Sequence, residues 1–193
     1  VLSRLAGEPV EVHGAGRTDA GVHALGQVAS VRLPGGREPE ELLAYCARYL
    51  PEDIAVIAAE RAEDRFHARL NAKGKEYRYA LRLGAVPDVF RRKYQYRLEG
   101  ELDMAAMKQA AAYLVGQHDF RSFCANRRYK KSTVRTVTAI ELERQGADLT
   151  LVFRGDGFLH HMVRILTGTL IEVGQGKRTP QEMEGILAAC DRA

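Results

Sequence analysis

The clearest periodicity in the chain is the two-residue alternation of residues 75–83 (KEYRYALRL). It sets Tyr77, Tyr79, Leu81 and Leu83 on one face and Glu76, Arg78 and Arg82 on the other, the mark of a strand with one buried face. Residues 134–143 alternate less cleanly, and 149–153 (LTLVF) resume the strand pattern after a turn over Gln145–Asp148. Weaker strand candidates fall at Val10–His13, Gln27–Leu33 and Ile54–Ala59. Helical spacing fills the gaps. Pro39 opens a helix carrying Leu42, Leu43, Cys46 and Leu50, since proline suits a first turn. Asp103 caps a second, with Met104, Met107, Ala111 and Leu114 inward and a stop at Gly116. Residues 159–173 read as a third, striped by Met162, Ile165, Leu166, Thr169 and Leu170. Thr179, Pro180 and Glu182 make a capping-box start for a fourth. The methionines on these stripes are core filler. Strands mixed with helices, and hairpin-length connections in the second half, predict an α+β fold on a largely antiparallel sheet. A boundary falls near Asn71–Gly74, and neither an internal repeat nor a low-complexity tract is visible.

Composition narrows the class. The 193 residues, 46% apolar and 28% charged, suffice for a core without metal or disulfide staples. Apolar runs stop short of the ~18 residues of a spanning helix, so no membrane is expected as a partner. Cys46, Cys124 and Cys190 form no CxxC pair, which argues for a reducing cytoplasm and against a zinc ribbon or disulfide framework. The start at Val1 rather than Met suggests a piece of a longer protein, and no basic-then-apolar leader opens it.

The net charge of +4 is spread unevenly. Residues 61–97 hold eleven Lys/Arg against four acids, and residues 121–135 hold six with no acid, leaving −9 on the other 141 residues. Tyr77, Tyr79, Phe90, Tyr94, Tyr96, Phe123 and Tyr129 are interleaved with these cations. Phosphates need cations and unstacked bases need flat partners, so the pattern suits RNA. A solvated basic face is the other reading of the same charges.

The most pointed segment for chemistry is Gly14–Ala24 (GAGRTDAGVHA). Three glycines in eight residues after a short strand make a tight loop. It is no dinucleotide fingerprint, because Asp19 stands where the third glycine of GxGxxG would fall. Nor is it a phosphate-binding P-loop, because no Gly-Lys-Ser/Thr follows. The loop projects Asp19 two residues after Arg17. In isolation such an aspartate is an Asx-turn or cap residue, Tyr77 is a core tyrosine on an alternating strand, and Arg164 is a helix charge beside an apolar stripe. His160 and His161 are adjacent rather than at the i, i+4 spacing of a helical metal site. They read, with His13, His23, His67 and His118, as structural or RNA-facing, and no metal is expected.

The string GAGRTDAGVHA resembles the signature of the TruA-type tRNA pseudouridine synthases. The resemblance continues through FHARLNAKGKEYRY (66–79), GQHDFRSFC (116–124), VRTV (134–137) and GFLHHMVRILTGTLIEVGQG (157–176). It implies two ferredoxin-like or RRM-like α+β halves joined through a largely antiparallel sheet, with the active cleft between them. Residues 1–72 would be the N-terminal half carrying the aspartate loop, short of a first strand and helix. Residues 73–193 would be the C-terminal half, short of a last strand. The implied reaction is isomerisation of uridine to pseudouridine at positions 38–40 of the tRNA anticodon stem-loop, without a cofactor, by a homodimer. Asp19 matches the family's nucleophile, Tyr77 its active-site tyrosine, which also binds the substrate base, and Arg164 an arginine that pairs with the aspartate. Arg17 matches a residue that helps turn the nucleotide out of the stack. Phe66–Leu70, with His67 and Arg69, and Arg127–Lys131, with Arg128, Tyr129 and Lys130, match tRNA contacts. Whether Asp19 attacks base or sugar, or assists loss of a sugar proton, is left open by the residues. The rival reading is a non-catalytic RNA-binding module of RRM-like architecture, with Asp19 a turn residue and Tyr77 a stacking platform.

Overall fold

In this computed structural model, which describes residues 1–126, 128 and 130–191, the chain forms two units, Val1–Ala72 and Lys73–Ala193. The first carries helix α1 (Leu2–Ala6), strands β1 (Val12–Gly14) and β2 (Ala29–Val31), and helix α2 (Pro39–Tyr49). β1 and β2 pair antiparallel, His13 opposite Ser30. Pro39 opens α2 as expected, and Cys46 on its inner face is buried; burial pushes the Cys46 thiol up from its ordinary value. Arginines tie the loops together. Arg37 donates to the Leu5 carbonyl at 3.0 Å, and Arg61 to Glu38 Oε1 at 2.8 Å and to the Gly36 carbonyl at 3.1 Å. The strand expected at Ile54–Ala59 does not form: no hydrogen-bonded partner strand lies beside it among the described residues, and Ile54 and Ile57 are exposed. A short apolar run without a partner ladder is not enough to make a strand.

The second unit is built on β3 (Lys75–Leu83), β4 (Tyr96–Leu98), helix α3 (Met104–Leu114), β5 (Gly116–Asp119), a 3₁₀ turn (Arg121–Phe123), β6 (Val134–Gln145), β7 (Asp148–Gly155), α4 (Met162–Gly174) and α5 (Glu182–Ala189). Its sheet runs β4-β3-β7-β6-β5. Only the β3–β4 pair among the described strands is parallel, so the sheet is largely antiparallel as the pattern predicts. β6 and β7 are joined by two residues, Gly146 and Ala147, with φ +61° at Gly146. A glycine there is what a tight type II′ hairpin uses.

The alternation of β3 sets the core. Tyr77 lies opposite Phe153, Tyr79 opposite Leu151 and Leu81 opposite Leu149, all on the face that packs into the core with α3 and α4. Asp103 caps α3, accepting at 2.9 Å from the Ala105 and Ala106 amides. The Thr179–Glu182 pair expected as a capping box closes through the Glu182 carboxylate, which accepts from Thr179 N–H at 2.5 Å and its hydroxyl at 3.1 Å. These bonds, the backbone one first, hold the Glu182 carboxyl below its usual range. On α4 the buried stripe is Met162, Val163, Leu166, Thr167, Leu170 and Val173. Ile165 and Thr169, expected inside, are only half-buried. The buried face is centred on Leu166 and Leu170 and extends toward Val163 and Thr167 rather than Ile165 and Thr169, and the helix, expected from 159, is capped by His161 at φ +56°.

One carboxylate gathers three segments of this unit. Asp148, the first residue of β7, accepts from Arg82 on β3 at 3.0 Å, and from Arg91 at 2.5 Å and Gln95 at 3.2 Å on the β3–β4 connection. Arg91 above all, then Arg82, holds its carboxyl below the usual range, against the opposing pull of burial. A folded-state value below the unfolded one of about 3.9 means this stability is fully present above that pH and is lost as pH falls through the folded value. Asp148→Asn is expected to cost about 1 kcal/mol near neutral pH. The gap from the parent should shrink in urea melts taken at progressively lower pH through the acid range.

Candidate functional site

The loop from Ala15 to Val28 is closed at its base by the Ala15 amide donating to the Val28 carbonyl at 2.8 Å and by Gln27 Nε2 reaching the Gly16 carbonyl at 3.0 Å. At the aspartate, the Val22 amide donates to the Asp19 carbonyl at 2.9 Å, closing the four-residue turn Asp19–Val22. Gly21 is its third residue, at φ +75°, the position where a type II turn demands glycine. The run Arg-Thr-Asp-Ala-Gly thus has a local logic: the glycine turns the chain so that Arg17 and Asp19 stand on the solvent side of the loop.

In the same unit the segment Phe66–Leu70 is a stapled turn. The His67 amide donates to Asn71 Oδ1 at 2.7 Å, the Asn71 amide to the His67 carbonyl at 3.0 Å, and the Ala68 amide to Ser30 Oγ on β2 at 3.2 Å. Ala68 is buried, while Phe66, Arg69 and Leu70 face outward. The His67 ring lies 4.9 Å from that of His13, the two planes tilted by 36°.

In the second unit Tyr77 is half-buried on β3 and meets the Phe158 ring edge-to-face, 5.0 Å between centroids. Just before Phe158, Gly155 closes β7 tightly against β6. A Cβ at Gly155 would lie 2.6 Å from the Thr136 carbonyl oxygen and 3.5 Å from Phe158 Cζ. Sequence reasoning missed both residues; the signal was the glycine that ends β7, next to the Asp156–Gly157–Phe158 string. Arg164 is exposed on α4 and lines a groove of about 370 Å³ with Tyr79, Tyr96 and Thr167. Thr167 is buried, and its Oγ1 has no hydrogen-bond partner. On the opposite face of β3, Arg78 and then Arg154 hold the Glu76 carboxyl below its usual range. The structure therefore places Tyr77 and Arg164 in the second unit, Tyr77 against Phe158 and Arg164 beside Tyr79, while Asp19 and Arg17 belong to the first.

The basic run springs from a clamped base. Thr133 donates its hydroxyl to Asp119 Oδ1 at 2.5 Å, the Arg121 amide donates to the same oxygen at 3.0 Å, and the Phe120 amide donates to the Thr133 carbonyl at 3.1 Å. The Ala125 amide adds a 3.0 Å bond to the carbonyl of His160, just ahead of α4. His160 and His161 stack at 3.9 Å. Arg128, Lys130 and Lys131 are exposed on this loop; Arg127 and Tyr129 lie outside the described residues.

A tight glycine-turned Arg-Thr-Asp loop, an aromatic-backed tyrosine on a central strand and basic loops on clamped stems define a protein built to modify RNA. Sequence comparison gives the family. A family model described as tRNA pseudouridine synthase matches residues 2–71 and 110–193, ranges that include Asp19 and Arg164 but not Tyr77. The chain is 47% identical over 191 residues to the tRNA pseudouridine synthase A of Brevibacillus brevis, covering 99% of this chain and 78% of that protein. Against the protein of the same name from Moorella thermoacetica it is 46% identical over 195 residues, 99% and 78% covered. With that from Bacillus licheniformis it shares 46% over 191 residues, 97% and 76% covered. The chain belongs to the tRNA pseudouridine synthase family. No helix among the described residues is long and apolar enough to cross a membrane.

Gly155→Ala is expected to strain the β6–β7 ladder at the Thr136 carbonyl, beside the Tyr77–Phe158 contact. The cost should be about 1–3 kcal/mol, read as a lowered thermal midpoint together with altered near-ultraviolet circular dichroism from the tyrosine.

Proposed function

We propose that this chain isomerises uridine to pseudouridine in tRNA, at positions 38–40 of the anticodon stem-loop, with Asp19 as the catalytic carboxylate. The observation that carries the reading is the Arg17–Val22 loop, in which a glycine turn closes directly after Asp19 and both Asp19 and Arg17 are exposed. The reaction breaks the bond from the ribose C1′ to N1 of uracil and makes one from C1′ to C5. A proton leaves C5 and one is taken up at N1, so atoms and electrons balance within the nucleoside and the protein, and the chemistry draws on no cofactor.

Asp19 has three routes open to it: attack on the base, attack on the sugar, or help in removing a sugar proton. All three need an ionised carboxylate held against the nucleoside. Arg164 supplies the guanidinium that keeps it in line and ionised. Tyr77 stacks on the uracil with its ring, and its hydroxyl takes part in removal of the C5 proton; the Phe158 edge fixes that ring. Arg17 occupies the space left as the nucleotide turns out of the stem, because the reacting atoms are covered inside a helix. Phe66, His67, Arg69 and Leu70 hold tRNA on one surface. Arg127, Arg128, Tyr129, Lys130 and Lys131 hold it on another. The first unit supplies Asp19, the second supplies Tyr77 and Arg164, and the working protein is a cytoplasmic homodimer.

Release of tritium from 5-tritiated uridine in an unmodified tRNA transcript reads the carbon–carbon bond directly. The parent chain is expected to release it and Asp19→Asn to lose about 10³-fold or more in rate, with tRNA affinity nearly unchanged. Equal release by both would remove Asp19 from the chemistry. No release by either, with tRNA still bound, would leave a binding module. Gly21→Ala tests the turn: forcing a side chain to φ +75° costs about 1 kcal/mol locally. The initial rate should fall roughly ten-fold while the melting midpoint moves by no more than about 2 °C, since the loop is exposed.

A further inference from the structure

The connection from Gly84 to Gln95 lies outside the ranges matched by the family model and takes no part in the reaction above. It returns the chain to start β4 parallel to β3, and it has a frame of its own. Asp88 Oδ1 accepts from the Phe90 and Arg91 amides at 3.0 and 3.1 Å, and its Oδ2 from Arg91 Nε at 2.9 Å. Arg92 Nη1 donates to the Val89 carbonyl at 3.0 Å and the Tyr94 amide to the Arg91 carbonyl at 2.8 Å. Arg91 and Gln95 anchor this frame on Asp148, and the Gly84 amide ties its start to the Leu98 carbonyl at 3.0 Å.

The frame uses up the acids and leaves the tip cationic and apolar. Asp88 and Asp148 are taken by Arg91 and Arg82, whereas no carboxylate lies within ion-pair distance of Arg92 or Lys93 among the described residues. Beside them Phe90 is 90% exposed, and Val86 is 74% exposed. Phe90 thus stands on a pre-ordered turn directly before Arg91, Arg92 and Lys93, and ordering the turn in advance removes part of the entropy cost of binding.

We infer that the Val86–Tyr94 turn is an additional RNA-contact surface, with Arg92 and Lys93 on phosphates and the Phe90 ring on an unpaired or splayed base. The inference rests on tRNA being the substrate. Charge decides between RNA and a second copy of the chain, because two-fold pairing would set this cationic tip against itself.

Fluorescence anisotropy with labelled, unmodified tRNA transcript across a salt series tests it. Phe90→Ala is expected to weaken binding about five-fold or more, with Phe90→Trp restoring it. Arg92→Gln with Lys93→Gln should lower the steepness of log affinity against log salt by about 1.5. The KM for tRNA in the tritium assay should rise with the loss of affinity, and the melting midpoint should hold because the three side chains are exposed. Wild-type affinity in both variants, with tritium release intact, would overturn the RNA contact and leave the synthase reading standing. Loss of a dimer in sedimentation at unchanged tRNA affinity would overturn it in favour of a contact between copies. A parent chain that neither binds tRNA nor releases tritium would overturn both readings together.

Discussion

Eight consecutive residue pairs join β3 to β7, from Lys75 opposite Gly155 to Arg82 opposite Asp148, and most of what matters in the second unit hangs from this ladder. Its inner face supplies Tyr77, Tyr79, Leu81, Leu151 and Phe153 to the core. At one end Gly155 closes β7 tightly against β6, beside the Tyr77–Phe158 contact. At the other, Asp148 gathers Arg82, Arg91 and Gln95 and shapes the connection that presents Phe90. Hydrogen bonds fix register, register fixes face, and a slip of one residue would turn Tyr77 to the solvent side and drive Glu76 and Arg78 inward.

The first unit works differently. Among its described residues only Cys46 and Ala68 are buried, so packing does little to dictate its loops. What shapes them is short-range chemistry: a glycine with positive φ after Asp19, an asparagine folding back on His67, and a serine on β2 that catches the Ala68 amide. Such loops keep their polar groups near water.

Legibility in the sequence followed the same division. The β3 alternation, the Pro39 and Asp103 helix starts and the Gly146 turn were readable because local pattern and tertiary demand agree there. β4 and β5 were not: Tyr96–Leu98 and Gly116–Asp119 are too short for a period, and pairing with β3 and β6 decides them. Ile54–Ala59 failed for the converse reason, having the pattern without the partner. Of the candidate site, the Arg-Thr-Asp loop stood out by its glycines, and the basic run by its charge. Phe158 and Gly155 did not, because a close approach between non-adjacent segments leaves no periodic trace.

The central ladder also imposes an order in time. The β6–β7 hairpin closes through two residues, but β3 reaches β7 across sequence separations of 66 to 80 residues. The entropy of closing so long a loop is charged before its contacts form, and such non-local pairings are slow to make. The hairpin is therefore the early structure and β3 the strand that docks onto it. Tyr77 acquires its Phe158 neighbour only in that late step, so the edge-to-face pair reports the docking of β3 rather than closure of the hairpin.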